Sequence, residues 1–151
     1  MPNKLALRPS LEIPVLEMST SIESFQNQTL RPILKLQNDL YLALFKAYID
    51  RKKTDFSTLR KEQKSIYIEQ SLQKDVALKN IFIGVTVGMF TLEELEQYNV
   101  DPKEFNRRII TMLMERIRRQ RQRFVKNRRE DPVSTDEKIL MKKNLVACKN
   151  H

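Results

Sequence analysis

Phe90-Thr91-Leu92-Glu93-Glu94-Leu95-Glu96-Gln97-Tyr98-Asn99-Val100-Asp101-Pro102-Lys103-Glu104-Phe105 carries the same helix-start signal twice. Thr91 and Asp101 are N-cap residues, each followed three positions later by a Glu whose carboxylate can return to the cap's own amide. Phe90 with Leu95, and Val100 with Phe105, stand at the positions of a hydrophobic staple. A short helix is therefore expected over about Leu92–Tyr98. A longer one begins at Pro102, where a missing N–H costs nothing.

That second helix meets no breaker before Pro132, which predicts a rod of roughly 40 Å at the α-helical rise. Stepping about 100° per residue places Met112, Phe105, Ile109, Leu113, Phe124 and Ile117 on one apolar arc, as for a helix packed on a core. Arg116 and Arg123 project into that arc. An unpaired guanidinium is costly to bury, so either acids meet them or the helix has left the body by then. The thinning of apolar residues after Ile117 favours departure.

Upstream, the chain alternates apolar periodicity with caps. A first helix is expected from about Ser21, with Pro32 either kinking it or opening a second segment. Ile33 to Ile49 has an apolar stripe wider than one face, as in a central helix or one shared with a second copy in a homodimer. A second helix follows Ser57 or Thr58, and a third runs from about Asp75 to Gly88. The β-branched content of Ile81–Val87 also suits a strand, but no second strand pattern exists to pair with it. On a helix, Gly84 and Gly88 lie one turn apart and would admit a close neighbour. The whole reads as all-α: one compact bundle of four to five helices ending in a long basic C-terminal helix. Residues 1–20 form an extended, Pro-containing arm, 21–126 the helical domain, and 127–151 a flexible tail. Ser134-Thr135-Asp136-Glu137 could cap a short helix in that tail.

Composition excludes several functions. Among 151 residues there are two Gly, one Cys and one His. Phosphate-cradling loops and dinucleotide folds need glycines at fixed spacing, and two do not supply them. An internal disulfide is ruled out by a single Cys. Cys148 and His151 lack the orienting group, oxyanion site and water exclusion that a nucleophile and base require, and two ligands do not make a structural zinc site. No catalytic constellation, cofactor site or metal site is expected. The longest apolar run, Ile81–Phe90, is too short to span a bilayer. No secretory signal is recognisable, so the expected location is cytoplasmic.

Charge is the informative feature. The chain has formal net charge +9. Between Lys103 and Arg129 stand eleven Lys and Arg against Glu104 and Glu115, so all of the excess lies on the last helix. Arg107, Arg108, Arg118, Arg119, Arg121, Lys126, Arg128 and Arg129 occupy its non-apolar side and are the candidate anion-binding residues. Guanidinium forks suit phosphate oxygens, and binding through phosphates would be salt-dependent and tolerant of sequence. Zinc-finger, aromatic RNP and GXXG signatures are missing. Nucleic acid and an acidic protein surface are the partners this pattern fits. The competing reading is a solvated helix whose charge is met by Glu93, Glu94, Glu96 and Asp101. Arg31, Lys35, Gln37 and Asp39 form a separate polar cluster at the start of the most apolar helix, with Lys35 and Asp39 spaced as an i,i+4 pair.

Several strings resemble a known family. Arg31-Pro32-x-x-Lys35-Leu36-Gln37-x-Asp39-Leu40, Tyr67-Ile68-Glu69, Gln73-Lys74-Asp75, Gly84-x-x-x-Gly88-x-Phe90-Thr91 and Glu115-Arg116 are similar to short helical bacterial chains labelled "glyoxalase", over roughly residues 25–117. Taken literally, the label implies metal-dependent isomerisation of a hemithioacetal in a paired βαβββ fold, with His, Glu and Gln ligands on strands. This chain has a single His, its last residue, and no strand pattern. The resemblance thus implies a bacterial, cytoplasmic, helical protein and leaves its biochemical role open.

Overall fold

The computed structural model describes residues 3–11 and 20–124. The fold is all-α, with no strand among the described residues. Its helices are α1 (Ser21–Phe25), α2 (Arg31–Leu36), α3 (Asn38–Arg51), α4 (Lys61–Lys74), α5 (Val76–Val87), α6 (Leu92–Val100) and α7 (Pro102–Arg119).

The first expected helix is interrupted twice. Thr20 caps α1 with a complete box, accepting from the Glu23 amide at 3.2 Å while Glu23 accepts from the Thr20 amide at 3.3 Å. Between α1 and α2 the helix widens into a π segment, Gln26–Leu30, in which the Arg31 amide reaches back to the Gln26 carbonyl. Pro32 is the cause. Its ring has no N–H to give and presses on the carbonyl one turn earlier, so the preceding turn takes up an extra residue. At Gln37 (φ −93°, ψ 12°) the chain bends again before α3. Most of the wide stripe expected on this segment faces inward: Ile33, Leu34, Tyr41, Leu42, Phe45, Tyr48 and Ile49 are buried, whereas Leu36 and Leu40 remain exposed.

Helix α4 starts at Lys61 rather than after Ser57 or Thr58. Those two hydroxyls are spent locally, Ser57 donating to the Asp55 carboxylate at 2.6 Å and Thr58 to the Asp55 carbonyl at 2.8 Å. They close a 3₁₀ turn, Phe56–Thr58. The Gln63 side chain then accepts the Arg60 amide and opens α4. Residues 76–87 are helical despite their β-branched run, and the Asp75 carboxylate caps them at the Leu78 amide, 3.1 Å away. Gly84 does not serve close packing. A Cβ built there meets nothing within 4 Å, and one built on Gly88 meets only the carbonyls of its own helix.

The Thr91 box is complete, with bonds of 2.9 and 3.2 Å to Glu94. Its Asp101 counterpart is half made. Asp101 accepts the Glu104 amide, but the Glu104 carboxylate turns away to Arg107 and Arg108. Val100 is 84% exposed, so it forms no staple with buried Phe105.

Helix α7 is the spine. Phe105, Ile109, Leu113 and Ile117, spaced four apart, are all buried along it, and it packs on α4, α5 and α6. Its 18 residues make a rod of about 27 Å at the α-helical rise, shorter than expected. The helix stops at Gln120, and a 3₁₀ turn, Arg121–Phe124, folds back onto the body. Phe124 is the anchor, its ring 5.3 Å from Phe45 and 5.8 Å from Phe56, both edge-on. The expectation that the helix leaves the body after Ile117 is therefore corrected. At the opposite end, Phe25, Phe90, Tyr98 and Phe105 form a second aromatic nest.

Residues 3–11 dock onto this frame. Arg8 forks the Glu94 carboxylate with two bonds of 2.7 Å and also donates to the Met89 carbonyl. Lys4 donates to the carbonyls of Gly88 and Phe90, where the α5 dipole favours a cation. Burial raises the Glu94 pKa, but hydrogen bonds from Arg8 and Thr91 outweigh it and hold the carboxyl below its ordinary range.

Candidate anion-binding groove

The basic face of α7 does not stand alone. It forms one wall of a groove of about 880 Å³, with α2 opposite, Gln26 of the π segment at one side and Leu11 of the docked arm completing the lining. Six cationic side chains line it: Arg31 and Lys35 from α2, and Arg107, Arg108, Arg116 and Arg119 from α7. Leu11 and Met112 provide its apolar surface with buried Leu34 behind them, and no aromatic ring takes part.

How each cation is met decides what the groove can do. Glu104 occupies Arg107 (2.7 Å) and Arg108 (3.0 Å) at the start of α7. Hydrogen bonds from Arg107, then Arg108, hold the Glu104 carboxyl down at about 2, so it stays ionised and keeps both. Arg108 also donates to Gln26 at 2.8 Å, tying α7 to the π segment. Arg119 has only a long contact of 3.8 Å to exposed Glu115. Among the described residues, Arg31, Lys35 and Arg116 have no carboxylate partner. Setting Glu104 and Glu115 against the six cations leaves the groove four positive charges in excess.

Arg116 is the unusual member. It lies on the apolar arc and is half-buried, yet no acid meets it. Instead it donates to the Asn38 side-chain oxygen at 3.1 Å, and Asn38 and Gln120 exchange amide bonds of 2.7 and 3.1 Å. The bend at Gln37 is what starts α3 at Asn38, within reach of α7. Burial lowers the Arg116 pKa, and repulsion from Arg119 and Arg31 lowers it further. On the core side, burial pushes the Tyr41 phenol up to about 12, where it bonds Thr86 at 2.7 Å. At neutral pH it carries no charge to offset the guanidinium. Among the described residues, Arg116 and Arg31 thus sit in the groove without a carboxylate partner.

The expected site residues divide. Arg107, Arg108 and Arg119 line the groove. Arg118, next to Arg119 but about 100° round the helix, faces α4 and pairs with Glu69 at 2.6 Å. Arg121 donates to the Arg118 carbonyl and does not line the groove. Lys126, Arg128 and Arg129 lie outside the described residues. Arg123 reaches Asp39 at 3.1 Å, so Asp39 does not form the expected i,i+4 pair with Lys35. Glu93, Glu94, Glu96 and Asp101 make no ion pair with α7 among the described residues, and Glu94 belongs to Arg8. The additional groove residues are Arg31, Lys35 and Arg116. Arg31 and Lys35 already stood out in the sequence as part of a polar cluster, and Arg116 as an intruder in an apolar arc, but neither signal says that they meet.

The one hydroxyl in the lining, Thr111, donates back to the Arg107 carbonyl at 2.8 Å, and the one carboxylate is Glu115. Among the described residues no three His, Cys, Asp or Glu side chains converge where a metal ion could sit. No helix among them is long and apolar enough to cross a membrane. A smaller open hollow of about 340 Å³ beside Tyr48, Tyr67, Lys74 and Asp75 has its carboxylate committed to capping α5. Comparison of the chain with protein-family models, curated proteins and solved structures finds no match.

Proposed function

We propose that this chain is a non-enzymatic interaction module that holds the phosphate backbone of nucleic acid in the groove between α2 and α7. The observation that carries this reading is the excess of four positive charges in one concave surface, with Arg31, Lys35 and Arg116 unmatched by carboxylates among the described residues. Guanidinium groups bind phosphate oxygens in pairs, and each phosphate neutralised releases counter-ions. Binding is sequence-tolerant because the contacts are charge contacts to phosphate and the lining has no aromatic ring to stack a base.

The test is a titration against short mixed-sequence RNA and DNA strands. With about four phosphates engaged, affinity falls roughly 50-fold between about 50 and 200 mM salt, and scrambling the sequence changes it little. No binding at the lower salt would overturn the proposal.

A further inference from the structure

Both walls of the groove carry cations. Arg31 and Lys35 of α2 and Arg107, Arg116 and Arg119 of α7 line the same hollow. Two hydrogen bonds tie the walls together. Arg108 donates to Gln26 at 2.8 Å, and Arg116 donates to Asn38 at 3.1 Å. Gln26 precedes α2 and Asn38 follows it, and the two tie points lie about 12 Å apart along α7. The trough is therefore flanked by one helix on each side and braced along its length.

A phosphate chain that uses the cations of both walls has to lie between two helices. In a duplex, each backbone is flanked by the major groove on one side and the minor groove on the other. Seating it here would push one wall into the minor groove, which is about 6 Å wide in B-DNA. An α-helix with its side chains is about 10 to 12 Å across, so neither wall enters. A-form RNA fails on the other side, because its major groove is deep and narrow. A single strand has no such flanks. Resting on the nucleic-acid reading above, we propose that the groove selects single-stranded over double-stranded nucleic acid, with the backbone between the walls and the bases turned outward. No aromatic ring lines the groove to stack those bases, so the selection comes from the two walls. A duplex is left with the rims, where it meets the cations of one wall at a time.

The decisive comparison titrates the full chain at about 50 mM salt, the low end of the range over which phosphate binding weakens. Its two probes are a mixed-sequence strand without self-complementarity and a blunt hairpin duplex with the same number of nucleotides. Charge density alone favours the duplex, which carries one charge per about 1.7 Å of axis, so a flat basic surface would bind it at least as tightly. The groove instead predicts that the single strand binds at least about tenfold tighter, the cost to the duplex of even one lost charge-assisted bond. Arg31→Ala combined with Arg119→Ala takes one exposed cation from each wall and should shrink that preference to about threefold or less, with a circular dichroism spectrum establishing that the variant is folded. Equal or tighter binding of the duplex would overturn the selection and leave the nucleic-acid reading standing. A preference that the double variant leaves unchanged would place the selection outside the groove and overturn it too. Failure of both probes to bind would overturn both proposals.

Discussion

R31E/K35E abolishes nucleic-acid binding without unfolding the protein. Both side chains are exposed. Arg31 gives up one surface bond, to Asn27 at 2.9 Å, and substitutions of this kind change stability by about 0.5 kcal/mol or less. The electrostatic change is far larger. Reversing two cations cancels the groove's excess of four charges, and with it the counter-ion release that drives phosphate binding. At about 50 mM salt the affinity for a short mixed-sequence strand falls by at least roughly 100-fold. K46E/K61E, which changes the net charge equally at exposed positions on α3 and α4, is the control. It lowers affinity several-fold at most. Equal losses in the two variants would mean that overall charge, rather than the groove, drives binding.

Phe124→Ala lowers the free energy of unfolding by about 3 to 5 kcal/mol, as measured by urea denaturation. The ring is 7% exposed, wedged between Phe45 and Phe56, and its removal leaves a cavity that the surrounding rings cannot close. Domains of this size are stable by about 5 to 15 kcal/mol, so the loss takes a large share of the total. A change below about 1 kcal/mol would mean that the chain beyond Arg119 does not fold back onto α3.

Much of the fold was legible from local chemistry. The caps at Asp75, Thr91 and Asp101 start α5, α6 and α7 where short side-chain acceptors precede apolar periodicity. The four-residue spacing of Phe105, Ile109, Leu113 and Ile117 correctly marked the buried face of α7. The end of that helix was not legible. Phe124 lies on the same apolar arc at helical spacing, so periodicity alone carries the helix past it, whereas its actual pocket is made by Phe45 and Phe56 far back in the chain. The π segment before Pro32 likewise depends on how the turn relieves a clash, which spacing does not encode.

The candidate site was half legible for a related reason. Helical periodicity placed Arg107, Arg108 and Arg119 on an outward face, but it could not say which outward face meets another element. Adjacent Arg118 and Arg119 separate because Glu69 of α4 waits on one side and α2 on the other. Arg31 and Lys35 join α7 only through tertiary packing across some eighty positions of chain, as the bonds from Arg108 to Gln26 and from Arg116 to Asn38 show. Their charge was visible in the sequence. Their convergence was not.

The most direct test of the groove as the binding surface is a two-dimensional amide NMR titration of the labelled protein with a short mixed-sequence strand at low salt. Shifts concentrated on residues 31–36 of α2 and 107–119 of α7, with α4 unchanged, are the predicted result. Shifts centred on α4, or none at a strand excess, would contradict it.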